Sequence, residues 1–162
     1  MHHYNYEISY DRLLWRLYHG RRDKMVTKFR AFLTETKTIH HVLQIDLSRS
    51  MVSLKIENAS EWYWFKEVVL MQSTGLKDKN GVDIFEGDVV KVSDGGNEED
   101  SYTSVVKNYA DEGYPAFDIE APSSWYYESN VLSTIMGGDY ETIEVIGNVW
   151  ENPNILEPAN EN

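Results

Sequence analysis

Between Leu70 and Val92 the chain reads LMQSTGLKDKNGVDIFEGDVVKV, and no other stretch restricts the fold as tightly. Lys77-Asp78-Lys79-Asn80-Gly81 has the composition of a tight hairpin loop, because Asn and Gly accept the positive φ angles such turns require. A short strand is expected over Val82–Phe85, after which Glu86-Gly87-Asp88 bends the chain. Val89-Val90-Lys91-Val92 is then a β-branched run suited to lining a small barrel. The signal concerns fold and carries little chemistry.

The flanking sequence repeats the β pattern. Alternating faces are expected over Thr27–Leu33, a strand over Thr38–Asp46, and a clean period of two over Met51–Ile56. Asn58-Ala59-Ser60 reads as a turn and Trp62–Leu70 as the next strand. Four strands in so few residues, joined by short connections, imply a meander and not βαβ units. Further strands are expected at Tyr102–Tyr109, Ala116–Ile119, Val131–Ile135 and Glu141–Trp150. Ser93 to Asp100, with Glu98, Glu99 and Asp100, reads as a mobile acidic loop. Gly147 inside the last strand suggests a bulge or a close backbone approach.

Residues 9–24, SYDRLLWRLYHGRRDK, read as a short amphipathic helix. Ser9 is the expected N-cap, Asp11 lies in the first turn, and Gly20 is a stop. Met25 opens MVTKFRAF, an ordinary protein start, so an extension over 1–24 is distinguished from a β body over 25–157. That body is expected to be one compact domain or two small lobes, about 25–70 and 71–157, and 158–162 is expected to fray.

Charge is divided the same way. Residues 1–30 hold 7 of the 15 basic side chains against 3 acidic ones, a net +4, and the rest of the chain is net −16. A body this acidic repels a phosphate backbone, so nucleic acid is not an expected partner of the main surface. Nucleic-acid contact through Arg12, Arg16, Arg21 and Arg22 is the weaker reading. No run of 18 apolar residues suggests a membrane span, and no export signal is recognised. The chain has no cysteine, which removes disulfides, thiolate metal ligands and thiol nucleophiles. A cytoplasmic protein is expected.

Catalytic patterns are missing from the sequence. It holds no nucleophile elbow, phosphate-binding glycine loop or H-E-x-x-H. His40 and His41 are neighbours in a strand and point to opposite faces, so they cannot converge on one metal ion. No metal, cofactor or catalytic residue is assigned, and an enzyme is not expected. Two aromatic clusters are the best binding candidates: Trp62-Tyr63-Trp64-Phe65 and Trp125-Tyr126-Tyr127. Each places aromatic rings on both faces of an expected strand, so one set needs cover from a subunit, from the chain itself, or from a ligand.

Three segments resemble the YopX family, proteins encoded mostly by bacteriophages and by prophages of Gram-positive bacteria. Lys28-Phe29-Arg30-Ala31-Phe32 is similar to the family's opening K-F-R-A-W strand, with Phe32 in place of the usual Trp. Leu70 to Val90 resembles its central signature through Thr74, Gly75, Leu76, Asp78, Gly81, Gly87 and Asp88. Glu144 to Pro153 is similar to its closing V-I-G-N motif, here Val145-Ile146-Gly147-Asn148. The resemblance spans about 26–157 and leaves 1–24 outside, so oligomer geometry does not transfer directly. It implies a mainly β fold of barrel-like, SH3-like antiparallel sheets, assembly into homo-oligomers and no established catalysis. The expectation is an accessory protein that binds a host factor through Glu98, Glu99 and Asp100 or the basic helix. The alternative is a small-molecule binder, sequestering a nucleotide signal at an aromatic subunit interface that includes Trp62, Trp64, Trp125, Tyr126 and Tyr127. An enzyme is the third reading.

Overall fold

The computed structural model describes residues 27–95, 97–114, 116–125, 127 and 130–156. The expected helix over 9–24, Met25 and the segment 157–162 lie outside the described residues. Eleven described strands form a mainly β architecture: β1 Phe29–Leu33, β2 Thr38–Asp46, β3 Met51–Ile56, β4 Ala59–Trp64, β5 Val68–Lys77, β6 Asp83–Phe85, β7 Asp88–Asp94, β8 Asn97–Val105, β9 Lys107–Asn108, β10 Phe117–Asp118 and β11 Glu141–Asn148. Among the described residues one α-helix, α1, covers Val131–Gly137.

All strand pairs are antiparallel. The first sheet runs β4-β3-β2-β1-β5-β6, the second β11-β7-β8, and β9 pairs with β10. Antiparallel sheets agree with the expectation, but among the described residues the hydrogen-bonded order of the six-stranded sheet is open at both ends and closes no barrel.

The period of two explains the burial. On β1, Ala31 and Leu33 share a face and meet Val52, Leu54 and Val68 in one apolar cluster. The opposite face carries Phe32, which joins Met71 and Phe85 in a second cluster and stacks on Trp150 with ring centroids 5.8 Å apart. A third cluster fills the other half of the molecule, where Ile84, Val90, Val92, Val106 and Ile143 meet the buried face of α1. Strand β6 ties these together, since Ile84 and Phe85 are neighbours that point into different clusters, as alternating strand residues must.

Several sequence readings are corrected. The strand expected over Trp62–Leu70 is broken by a 3-10 turn at Phe65–Glu67. Glu67 holds that turn: its carboxylate accepts the Trp64 N–H at 2.7 Å, and its carbonyl accepts the Thr34 N–H at 3.0 Å. Ala59 and Ser60, read as turn residues, already belong to β4, and the bend falls at Glu57, where φ is 51°. The acidic loop expected over Ser93–Asp100 is mostly strand: β7 runs to Asp94 and β8 starts at Asn97. Gly95 donates its N–H to the Tyr140 carbonyl at 2.7 Å, which anchors the hairpin tip to the chain entering β11. The strand expected over Tyr102–Tyr109 ends at Val105, and β9 is a separate short element.

The largest change is at Val131–Ile135, which is helical and not extended. Val131, Leu132 and Ile135 recur at helical spacing and are buried against the third cluster. A short apolar run fits either period, and here tertiary contacts decide. The Asp118 carboxylate, from β10, accepts the Leu132 N–H at 2.8 Å and so satisfies a donor that a helix start leaves open. Beyond β11 the chain forms another 3-10 turn at Pro153–Leu156.

Candidate functional site

The signature residues are occupied with structure. Asp78 is the hub of the β5–β6 hairpin. Its Oδ1 accepts N–H groups from Asn80 at 2.8 Å and Val82 at 2.9 Å, while Oδ2 accepts the Val145 N–H of β11 at 3.0 Å. Burial pushes this carboxyl up, but the Val145, Val82 and Asn80 donors outweigh it and hold its pKa below the usual range. Thr74 donates its hydroxyl to the Ile84 carbonyl at 3.0 Å and accepts the Leu76 N–H at 3.1 Å, and Leu76 packs on the third cluster. The Gly75, Gly81 and Gly87 backbones all sit near φ +80°.

Asn148 caps the turn after β11, with its Oδ1 accepting the N–H groups of Trp150 at 3.1 Å and Glu151 at 2.8 Å. Register shifts between Val145 and Gly147, a bulge. A Cβ on Gly147 would stand 2.7 Å from Asn152 Oδ1 and 3.1 Å from Ile155 Cδ1, so the turn lies directly on it.

Asp88 is nearly fully buried and forms an ion pair with Arg30, joining β7 to β1 across the two halves of the molecule. Its Oδ2 accepts the Phe85 N–H at 2.8 Å, and the Arg30 guanidinium lies 4.6 Å above the Phe85 ring centroid. Burial raises the Asp88 pKa, against the pull of Arg30 and of the Phe85 N–H. A buried pair of this kind welds elements together, and its desolvation cost offsets most of its Coulombic gain.

The aromatic candidates separate into two places. Trp62 and Trp64 lie on β4, the outermost strand of the six-stranded sheet, and are 41% and 48% exposed. The Arg49 guanidinium sits 5.4 Å from the Trp62 ring centroid. Trp125 instead packs edge-on against Tyr102, centroids 4.9 Å apart, beside the third cluster. Tyr127 donates its hydroxyl to Glu141 Oε1 at 2.6 Å, and burial followed by that bond pushes its pKa up to about 12. Tyr126 lies outside the described residues, as do the side chains of Glu98 and Glu99. Asp100 is exposed on β8. The structure therefore does not bring Trp62 and Trp64 together with Trp125 and Tyr127 within one chain.

Among the described residues no cluster of three His, Asp or Glu side chains is arranged to hold a metal ion. His40 Nε2 lies 2.7 Å from the Thr38 hydroxyl. His40 is paired with Ala31 and His41 with Arg30, so the two histidines take opposite faces of the sheet.

A groove that the sequence did not announce lies between β10 and α1. It has a volume of about 360 Å³ and is walled by Tyr109, Tyr114 and Tyr127, with Asp118 and Glu120 among its lining. Glu120 accepts a hydrogen bond from Lys107 at 2.6 Å, which lowers its pKa and raises that of the lysine. Burial and then the nearby Glu120 charge raise the Tyr109 pKa. The groove therefore offers aromatic faces and carboxylate oxygens, which suit a positively charged or hydrogen-bond-donating group. Its parts come from short, irregular segments without periodicity. The only sequence hint is the pair of tyrosines around Gly113.

The geometry of the described residues defines a mainly β, antiparallel protein with one short α-helix and a carboxylate-bearing tyrosine groove. The chain belongs to the YopX family: the model of the YopX protein matches residues 28–157. It is 31% identical to protein EF1440 from Enterococcus faecalis, covering 83% of this chain and all of that one at a TM-score of 0.53. The yopX protein of Bacillus subtilis shares the fold at 21% identity and a TM-score of 0.55, covering 80% of this chain and 98% of that one. No curated protein matches the chain.

Proposed function

We propose that this protein is a non-enzymatic accessory protein, phage- or prophage-encoded and cytoplasmic, that forms a homo-oligomeric barrel-like β scaffold and binds a host protein. The observation that carries the reading is the β4 edge. Among the described residues this strand has a sheet neighbour on one side only, and it holds two tryptophans that are each close to half exposed. Exposed strand edges template pairing with another chain, and tryptophan is enriched where interfaces bury surface. The family signature supports a binding role indirectly, because its polar residues are consumed by turns and an ion pair, which leaves the aromatic and acidic surface to meet partners. Among the described residues no helix is long and apolar enough to cross a membrane. A nucleotide signal is the poorer alternative, since Asp118 and Glu120 in the tyrosine groove repel phosphate.

The test is native mass spectrometry of the full chain isolated gently from bacterial cells, beside a variant carrying Trp62→Lys and Trp64→Lys. The expected result is an oligomer for the parent, with or without a bound host protein, and a monomer for the variant. A parent that is monomeric and free of any added protein mass removes the reading. A stoichiometric small-molecule mass would replace it with ligand sequestration.

A further inference from the structure

Tyr109, Tyr114 and Tyr127 reach one groove from three separate places in the chain: just after β9, just after the left-handed Gly113, and two residues beyond the 3-10 turn Ser123–Trp125. Tyr114 is 39% exposed, so one wall is open to solvent. Asp118 lines the same groove although the residue is only 8% exposed. Both backbone donors that reach this carboxylate, Ile119 N–H at 2.9 Å and Leu132 N–H at 2.8 Å, land on Oδ1. Its other oxygen has no hydrogen-bond partner among the described residues. The Tyr102 hydroxyl is also buried without a partner, and the Asp118 and Glu141 charges lie close enough to raise its pKa after burial and Tyr127 do so. That second oxygen is not among the buried atoms left without a partner, so it stays open to solvent, where a donor or a cation can reach it. Aromatic faces attract cations through the negative face of the ring quadrupole.

We propose that the groove binds an organic cation with a guanidinium or alkylammonium head, held between the tyrosine rings and neutralised by Asp118 and Glu120. The cation is either an arginine or lysine side chain of a partner protein or a free amine, since both present the same head group. This rests on the binding reading above and supplies the chemistry by which a partner is recognised. Lys107 occupies Glu120 at 2.6 Å and stands in the cation's place at that carboxylate. It therefore competes with the ligand.

The experiment is amide NMR titration of the full chain at fixed ionic strength. Agmatine serves as the guanidinium probe, tetramethylammonium as the hydrogen-bond-free cation, and urea as the neutral analogue. Agmatine and tetramethylammonium are expected to give saturable shifts confined to the segments carrying the three tyrosines, Asp118 and the start of α1, and urea none. Tyr114→Ala and Glu120→Gln each weaken agmatine by about tenfold, the loss of one aromatic face or one carboxylate partner. Lys107→Gln tightens it by about threefold, which corresponds to releasing an exposed ion pair, whereas Lys55→Gln, with the same change in net charge, leaves it unchanged.

Shifts scattered over the acidic surface without saturation overturn the proposal, as does equal behaviour of urea and agmatine or of the two lysine variants. Saturation by a capped arginine amide but not by putrescine identifies the source as a protein side chain, and the reverse identifies a free amine. A monomeric protein that saturates with agmatine leaves this inference standing while removing assembly. An oligomer that does not saturate removes the inference alone.

Discussion

Asp78 and Asp88 are both buried aspartates of the signature, and their surroundings push them in opposite directions. Asp88 has one backbone donor and one guanidinium against deep burial, and burial wins. Asp78 has three backbone donors, and the donors win. The sign for Asp78 follows from linkage. Its folded pKa lies below the ordinary aspartate value, so its stabilisation is complete above that value and is lost as pH falls through the folded pKa. Asp78→Asn is expected to cost about 2 kcal/mol near neutral pH, since charge-assisted bonds to three N–H groups are weakened. The deficit shrinks as pH falls from neutral through the folded pKa, below the ordinary aspartate value, because the parent carboxylate is then itself protonated. Thermal melting of both proteins across this range checks it, and a constant offset at every pH would refute the electrostatic account.

At the scale of elements, the β11 bulge and the turn after it form one unit. Gly147 supplies the space, Asn148 caps the turn, and the Asn152 N–H returns to the Asn148 carbonyl at 3.0 Å. Gly147→Ala puts a methyl group against Asn152 and Ile155, and overpacking of this kind costs about 1–3 kcal/mol. Chemical denaturation should show a lower midpoint with an unchanged slope, because the loss is local and the surface exposed on unfolding stays the same. The same turn sets the position of Trp150, whose ring stacks on Phe32.

The whole molecule carries a formal charge of −12. Most of its described ion pairs involve exposed side chains, as in Lys28–Asp83 and Lys107–Glu120, and exposed pairs contribute little. Self-repulsion of the compact state is therefore the larger electrostatic quantity. Raising sodium chloride from a low concentration to well above physiological is expected to raise the melting temperature by about 3 °C. Calorimetry or circular dichroism checks this, and a fall in melting temperature would mean that the ion pairs dominate.

The local chemistry of this chain was legible where it acts over short distances. The β5–β6 hairpin, the period of two in Met51–Ile56 and the family signature are all readable, because turn residues and alternation encode local geometry directly. The helix at Val131–Gly137 was not readable, since Val-Leu-Ser-Thr-Ile suits either period and the choice falls to Asp118 and the core that receives it. The acidic segment before Ser101 looked like a loop because its polarity resembles one, yet pairing with β7 makes it a strand. The tyrosine groove depended wholly on the tertiary structure. Its residues come from five short segments between Tyr109 and Val131, and no sequence spacing shows that Tyr109, Tyr114, Asp118 and Tyr127 face one another. Sequence by itself determined which stretches pair and turn, whereas only packing brought side chains with no local relationship to a common surface.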